Sequence, residues 1–315
     1  MPPSPPRVLV IGDVINDIVA KTAAPLVAGA DNPAVIRATP GGSAANQAAW
    51  MARLGLSVVF AGRVGAEDAA FHRRELARLG VEPRLAADES AATGAIVVLV
   101  GPDGERTMIT DRGANLRLRP DDVPAALLDG VALLHLTGYS FFAPGPRAVA
   151  LGLIAAASRR GVPVTVDPGS AAFLRQLAPG AFLAWTKGAV VCFPNRDEAA
   201  VLAERAGAGG DDPSRTAATL ARNYDTVVVK LGAAGAMLAT GGAPPVPIPA
   251  CPATVRDTTG AGDAFCAGFL TAWLAGAQPT EAATAAARVA AIAVSALGGR
   301  PDTQDGPGAA SAPAR

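Results

Sequence analysis

The run Asp257-Thr258-Thr259-Gly260-Ala261-Gly262-Asp263 opens an apolar stretch, Ala264 to Ala275, that reads as a buried helix. A Gly-x-Gly turn at a helix start bares backbone N–H groups that point the same way and add to the positive end of the helix dipole. Such a place holds phosphate. Asp263 falls in the first helical turn, beside that anion site. A carboxylate there repels a bound phosphate. The cost makes sense if the Asp faces a hydroxyl that attacks the phosphorus. A bare GxGD would read as a turn with a helix-stabilising Asp; the full seven-residue run reads as chemistry. A free Asp ionises near ~3.9, so Asp263 is expected to be charged at neutral pH and a weak base.

A second run, Gly41-Gly42-Ser43-Ala44-Ala45-Asn46, also opens a helical pattern. Two glycines let a ligand approach the backbone, and the Asn46 amide both donates and accepts hydrogen bonds, which suits a polyol. Taken alone it is equally a capped helix start. No GxxxxGK[ST] is present, so this is not a P-loop chain. After the first strand the chain reads Val8-Leu9-Val10-Ile11-Gly12-Asp13, without GxGxxG, which argues against a dinucleotide fold.

Elements must place these runs together. Val8–Ile11, Val58–Ala61, Val131–Leu136, Val162–Val166, Ala189–Cys192 and Thr226–Val229 read as strands. Most are apolar throughout, as in a parallel sheet covered on both faces. Ser43–Leu54, Ala66–Leu79, Pro146–Arg160, Arg196–Ala206 and Ser214–Asn223 read as helices, with Gly55, Gly80, Gly161 and Gly207 as stops. The alternation means α/β with right-handed crossovers. Two segments break it. Residues 14–40 are too long for a βα loop and show no clear helix. Residues 91–115 contain Gly94–Val100 and Arg106–Asp111 around Asp103-Gly104, a hairpin signal. Both are expected to form one small β lid over a large α/β domain made of 1–13, 41–90 and 116–301. The Gly, Ala, Ser and Pro tail, 302–315, is expected to be flexible.

The 315 residues carry 27 Lys+Arg and 27 Asp+Glu, with 50% hydrophobic and only 4% aromatic residues. Zero net charge argues against a nucleic-acid partner. Cys192, Cys251 and Cys266 have no CxxC spacing, and His72 and His135 cannot build a His-rich site. Structural zinc and a disulfide framework are therefore not expected, and these five residues read as filler. MPPSPPR lacks a basic n-region and a long apolar run, and no segment suits a spanning helix. A cytoplasmic location without a membrane partner is expected.

The two Gly-rich runs together are specific. The sequence resembles the ribokinase-like (PfkB) family of carbohydrate and nucleoside kinases, from about Arg7 to Pro301. The N-terminal signature is seen in Gly41-Gly42…Asn46 and in Gly62-Arg63-Val64-Gly65…Asp68. The C-terminal signature matches Asp257 to Asp263 throughout, and Asn195-Arg196-Asp197-Glu198 matches an NxxE motif.

The resemblance implies a three-layer α/β fold with a mostly parallel sheet and a small β lid. It implies transfer of the γ-phosphate of ATP to a hydroxyl of a small sugar. Asp263 would be the base and the amides of Gly260, Ala261 and Gly262 the anion hole. Asn195 and Glu198 would organise Mg²⁺ at the nucleotide phosphates, mostly through water, although Asn-x-x-Glu is also a helix-capping pattern. Lys230 and Gly232 would border ATP. Lys230 reads equally as a phosphate contact or a strand-end charge. Asp257 and Thr259, with carbonyls from the Ala293–Gly299 loop (Ala293 and Gly298 among them), match positions that hold a monovalent cation, so K⁺ activation is expected.

On the acceptor side the resemblance places Asp13, Asp17, Gly41, Gly42 and Asn46, with Arg106 and Arg112 from the lid hairpin reaching towards an acidic group. Two departures touch the substrate. No carboxylate stands at the end of Leu133-Leu134-His135-Leu136-Thr137-Gly138, where ribokinase has Glu. Asp167-Pro168-Gly169-Ser170 lacks the Arg of the DxNxR pattern of ketodeoxygluconate kinases. A nucleoside or sugar-acid kinase is the alternative, with Phe141 and Phe142 as the nearest candidates for a base slot. The open edges of lid strands allow a homodimer.

Overall fold

Alternating residues of the first strand point into two different cores. In β1 (Arg7–Ile11), Val8 and Val10 pack on one side of the sheet and Leu9 and Ile11 on the other. All four are fully buried. A strand with both faces covered must sit between two helical layers. The computed structural model describes residues 4–103, 105–178, 180–206, 210 and 212–302, apart from the side chain of Arg106.

Along the chain follow β2 (Ile15–Thr22), β3 (Ala34–Gly41), α1 (Ser43–Arg53), β4 (Ser57–Gly65), α2 (Ala69–Arg78), β5 (Val81–Asp88), β6 (Thr93–Val100) and β7 (Arg106–Gly113). Then come β8 (Leu133–Thr137), α3 (Pro144–Arg160), β9 (Val164–Asp167), α4 (Ala171–Gln176), α5 (Ala181–Trp185), β10 (Val191–Cys192), α6 (Arg196–Arg205) and α7 (Pro213–Leu220). The last elements are β11 (Thr226–Lys230), β12 (Ala236–Thr240), β13 (Val246–Ile248), α8 (Ala261–Leu274) and α9 (Pro279–Val294).

Nine strands form the main sheet in the order β13-β12-β11-β10-β9-β8-β1-β4-β5. All neighbours from β11 to β5 are parallel; β12 and β13 add an antiparallel edge. This is the expected mostly parallel α/β sheet. One core holds residues of α1, α2, α8 and α9, the other residues of α3, α6 and α7. The sequence is rich in alanine, and the helices use it. A Cβ on Gly268 of α8 would stand 2.9 Å from the Ala286 Cα of α9, so these helices lie closer than larger residues would allow.

Strands β2, β3, β6 and β7 form a separate sheet in the order β3-β2-β6-β7. Its root is fixed to the main body by side chains. Asn115 accepts from the Val14 amide at 3.0 Å and donates to the Val14 carbonyl at 2.8 Å, joining the end of β7 to the start of β2. Asp68 accepts from Asn16 of β2 at 2.8 Å and from the Thr93 hydroxyl of β6. The expected stop Gly207 and the stretch 303–315 of the expected tail lie outside the described residues, as does Gly104 of the hairpin turn.

Candidate active site

Helices α1 and α8 begin face to face, and Asp263 is the junction. Its Oδ1 accepts from the Ser43 hydroxyl at 2.7 Å and from Gln47 Nε2 at 3.0 Å, and its Oδ2 from Asn46 Nδ2 at 3.1 Å. Burial pushes the carboxyl up to about 6, against the pull of the Ser43 and Gln47 bonds; nearby Asp167 adds to the rise. The free-Asp expectation of a weak base is thereby corrected. Withdrawal from water makes Asp263 a stronger base than an exposed aspartate, near the pKa that suits proton transfer close to neutrality.

The acceptor-side residues Asp13, Asp17, Gly41, Gly42, Asn46 and Arg112 gather beside it, at the root of the second sheet. Asp13 accepts from Arg112 Nη1 at 3.1 Å and from the Ala44 amide at 3.3 Å. Arg112 lies 3.7 Å over the Tyr139 ring. Asp13 is thus held by an arginine, with one donor on each of its oxygens. Asp17 is pushed up to about 6 by burial and by Asp13, against Arg300 and Arg112. Arg300 donates to the Gly41 carbonyl at 2.8 Å and to Asn46 Oδ1 at 3.2 Å, which fixes the Asn46 amide with its Nδ2 towards Asp263. A Cβ on Gly41 would stand 2.0 Å from Asp17 Oδ2. Gly41→Ala is therefore expected to swing the Asp17 carboxylate aside. The acceptor KM should rise about tenfold while the ATP KM stays put, as steady-state kinetics in both substrates will measure.

On the other side of Asp263 lies the Gly260-Ala261-Gly262 turn. Gly260 caps α8 with φ +75°, and a Cβ there would stand 2.5 Å from Gly299 Cα and O. Only glycine meets both demands. Asp257 closes the turn: Oδ1 accepts from the Thr259 amide at 2.9 Å and hydroxyl at 2.7 Å, and Oδ2 from the Gly298 amide at 3.0 Å. The Trp50 indole donates to the Gly299 carbonyl at 3.0 Å. Next to the turn opens a cavity of about 580 Å³, lined by Gly232, Ala253, Thr258, Gly262, Phe265 and Ala290 among others. It is mostly apolar, with the α8 N-terminus at one end.

Lys230 resolves the two readings of it in favour of neither alone. Its Nζ borders the cavity, 3.5 Å from where a Cβ on Gly262 would stand, but it binds Asp167 Oδ2 at 2.8 Å. Burial opposes its charge, and Asp167, Cys266 and Glu198 outweigh that, so its pKa lies above the usual range. Asn195 and Glu198 form the capping box of α6: Asn195 Oδ1 accepts from the Glu198 amide at 2.9 Å, while Glu198 takes the Asn195 amide at 2.8 Å and Nδ2 at 2.7 Å. Asn195 bridges to Lys230 between strand ends, which sets the box near the phosphate end of the cavity.

Three expected placements differ. Arg106 pairs with Val100 at the far end of β7, six residues from Arg112, a span of about 20 Å, because the hairpin runs outward from its root. Its side chain lies outside the described residues. The Ala293 carbonyl accepts from the Ala296 amide at 3.1 Å, since α9 runs to Val294 and its last turn uses that oxygen. Phe141 is fully buried, 5.4 Å from Phe182, so it lines no slot. The half-buried ring trio Tyr139, Phe142 and Phe173 stands by Arg112 instead.

The family model described as pfkB family carbohydrate kinase matches residues 5–305. This chain belongs to that family. The kinase is 31% identical to the bifunctional protein HldE of Caulobacter vibrioides over 92% of its own length and 60% of HldE. It therefore spans about 60% of that relative. Among solved structures it is similar to adenosine kinase of Sinorhizobium meliloti, with TM-score 0.82, 26% identity and coverage of 95% and 96% of the two chains. Arabidopsis thaliana ribokinase, solved with ribose and ATP, gives TM-score 0.78 and 28% identity over 95% and 96%.

Four site residues of the kinase escape motif reading: Gln47, His135, Thr165 and Asp167. All four are buried polar side chains. The signal was present, because His135, Thr165 and Asp167 interrupt strands that are otherwise apolar. A polar group in a doubly covered strand needs a partner, and here the partners are one another. Among the described residues no helix is long and apolar enough to cross a membrane.

Proposed function

We propose that the kinase moves the γ-phosphoryl group of ATP to a hydroxyl of a small sugar, with Asp263 as base. The observation that carries this is the position of Asp263. Its carboxylate stands between the Asp17–Gly41–Asn46 wall and the α8 amides, with its pKa raised to about 6. In that role it orients the acceptor hydroxyl and takes its proton as the O–P bond forms. The amides of Gly260, Ala261 and Gly262 stabilise charge on the oxygens of the group in flight, and fixed donors do so without reorganisation. The sheet of β2, β3, β6 and β7 acts as a lid that excludes water from the transfer.

The cavity residues fit ATP. Mg²⁺ supplies charge neutralisation between the phosphates. Among the described residues no cluster of three or more His, Cys, Asp or Glu could hold a metal, which fits an ion carried on the nucleotide with its waters. Glu198, pushed up to about 7 by burial and Asp167, would meet that ion through water because Asn195 occupies both of its oxygens. Asp257 with the Gly298 turn fits a monovalent cation that screens charge behind the anion hole. Activity several-fold higher in K⁺ than in a large organic cation at equal ionic strength is the expected result. Equal rates in both reject the site.

The acceptor class is tested by ADP release over a panel of sugars, sugar acids and nucleosides, with Asp263→Asn as control. A sugar is expected to support turnover in the parent enzyme and not in the variant. A nucleoside is the second reading, favoured by the half-buried Tyr139–Phe142–Phe173 trio. Turnover with nucleosides alone would establish it. Val35 and Ile36 are exposed along β3 and suit pairing with a second lid in a cytoplasmic homodimer; mass by light scattering tests this.

A further inference from the structure

Gln47 is fully buried, one helical turn into α1, and its amide meets four other side chains at once. Nε2 reaches Asp263 Oδ1 at 3.0 Å and Asp167 Oδ2 at 3.0 Å, with Ser43 Oγ at 3.2 Å. Oε1 faces His135 Nε2. An amide can be turned over, and a turned Gln47 would present its oxygen to two carboxylates. Something must prevent that.

Repulsion between that oxygen and the carboxylates itself does so, and His135 completes the arrangement by its hydrogen-bonding chemistry. Its Nδ1 lies 2.8 Å from the Thr165 hydroxyl on the neighbouring strand β9. Burial pushes its pKa down to about 4, so the ring is neutral and carries one N–H. An amide oxygen only accepts, so the N–H must be on Nε2. Nδ1 then accepts from Thr165. The two carboxylates set the Gln47 amide with both N–H groups towards them, this sets the His135 tautomer, and the Nε2–H then holds the amide oxygen in place.

We infer that Gln47, locked by His135, is the positioning residue that keeps Asp263 ionised and aimed at the acceptor hydroxyl. This rests on Asp263 being the base. His135 touches neither Asp263 nor the cavity lining; it acts through Gln47. The charged groups around Asp263 are Asp167 of β9 and, beyond it, Lys230 of β11; the neutral ones are Ser43, Asn46 and Gln47 of α1 and Cys266 of α8. A donor lost from Gln47 leaves Asp167 free to repel the Asp263 charge, so the proton is held more tightly.

The test is the pH profile of kcat in the full-length enzyme. Asp17 and Glu198 titrate in the same range, so the acid limb is assigned by its response to substitution. Gln47→Leu is expected to move the limb up by about one pH unit, a fall in kcat of about twofold just below neutrality that grows to about tenfold near pH 5, with little change in ATP KM. His135→Leu should move it the same way. His135→Gln, which keeps a donor near Nε2, should return it. The Gln47→Leu, His135→Leu double variant should match Gln47→Leu alone, because the second residue acts only through the first. Additive effects, or a limb that stays in either single variant, overturn the inference. Should Gln47→Leu fail to fold, the His135→Leu and His135→Gln pair decides it alone. If Asp263→Asn turns over like the parent, the base assignment fails and this inference with it. If Asp263→Asn is inactive and the limbs stay, only this inference fails.

Discussion

Asp263→Asn is expected to lower kcat about a thousandfold, with ATP and acceptor still bound. The amide cannot take a proton from the attacking hydroxyl, while the α8 amides, proposed to hold the phosphate, are untouched. Residual turnover should no longer follow the acid limb of the parent. In the parent, kcat should fall as pH drops below about 6, because the carboxyl becomes protonated there. The same shift acts on stability. The folded protein binds this proton more tightly than the unfolded chain does, with its pKa raised from 3.8 to about 6. The ionised carboxylate therefore penalises the fold fully above the folded value. The penalty fades as pH falls towards the unfolded one. Asn removes it. Asn also adds a conflict, since Asn46 Nδ2 is held towards this site by Arg300 and would meet a second donor. The two effects oppose, so the thermal midpoint is expected to stay within a few degrees. Lost turnover with an unchanged midpoint and retained binding by calorimetry marks lost chemistry. Near-parental turnover in purified protein would reject Asp263 as base.

The motifs that announce this site are those in which the backbone is too crowded for a side chain. Gly260 is legible because no other residue fits an αL cap pressed on Gly299, and Gly41 because Asp17 occupies the space of its side chain. The parallel core strands are legible because both faces are covered and the run stays apolar. Sheet edges are not. Val81–Asp88 carries Glu82, Pro83 and Arg84 and still forms the outer strand β5, and Val246-Pro247-Ile248 forms the opposite edge, since an edge tolerates proline and charge. Lys230 shows the same limit in the site. Spacing places it at a strand end, but only packing shows that its stem turns inward to Asp167. The Gln47–His135–Thr165–Asp167 group is joined across α1, β8 and β9, and no local pattern links residues that meet only through the sheet register.

Lys230→Met carries the largest expected cost to stability, about 3–5 kcal/mol. Three donors converge on Asp167 Oδ2: Lys230 at 2.8 Å, Gln47 at 3.0 Å and the Cys266 thiol at 3.2 Å. Only Lys230 brings charge. Without it a buried carboxylate remains, with Asp263 and Glu198 close enough to raise its energy further. A drop in midpoint of roughly 5–8 °C follows for a chain of this size. Adding Asp167→Asn removes the unpaired charge and should recover most of the midpoint, because the cost lies in the stranded carboxylate rather than in the absent pair. It should not recover the rate. The ammonium stands behind Gly262, so both variants lose positive potential at the anion hole, and kcat is expected to fall about tenfold or more in each. A single variant as stable as the parent would mean that water reaches Asp167. A double variant with parental kcat would mean that the α8 amides alone carry the phosphate charge.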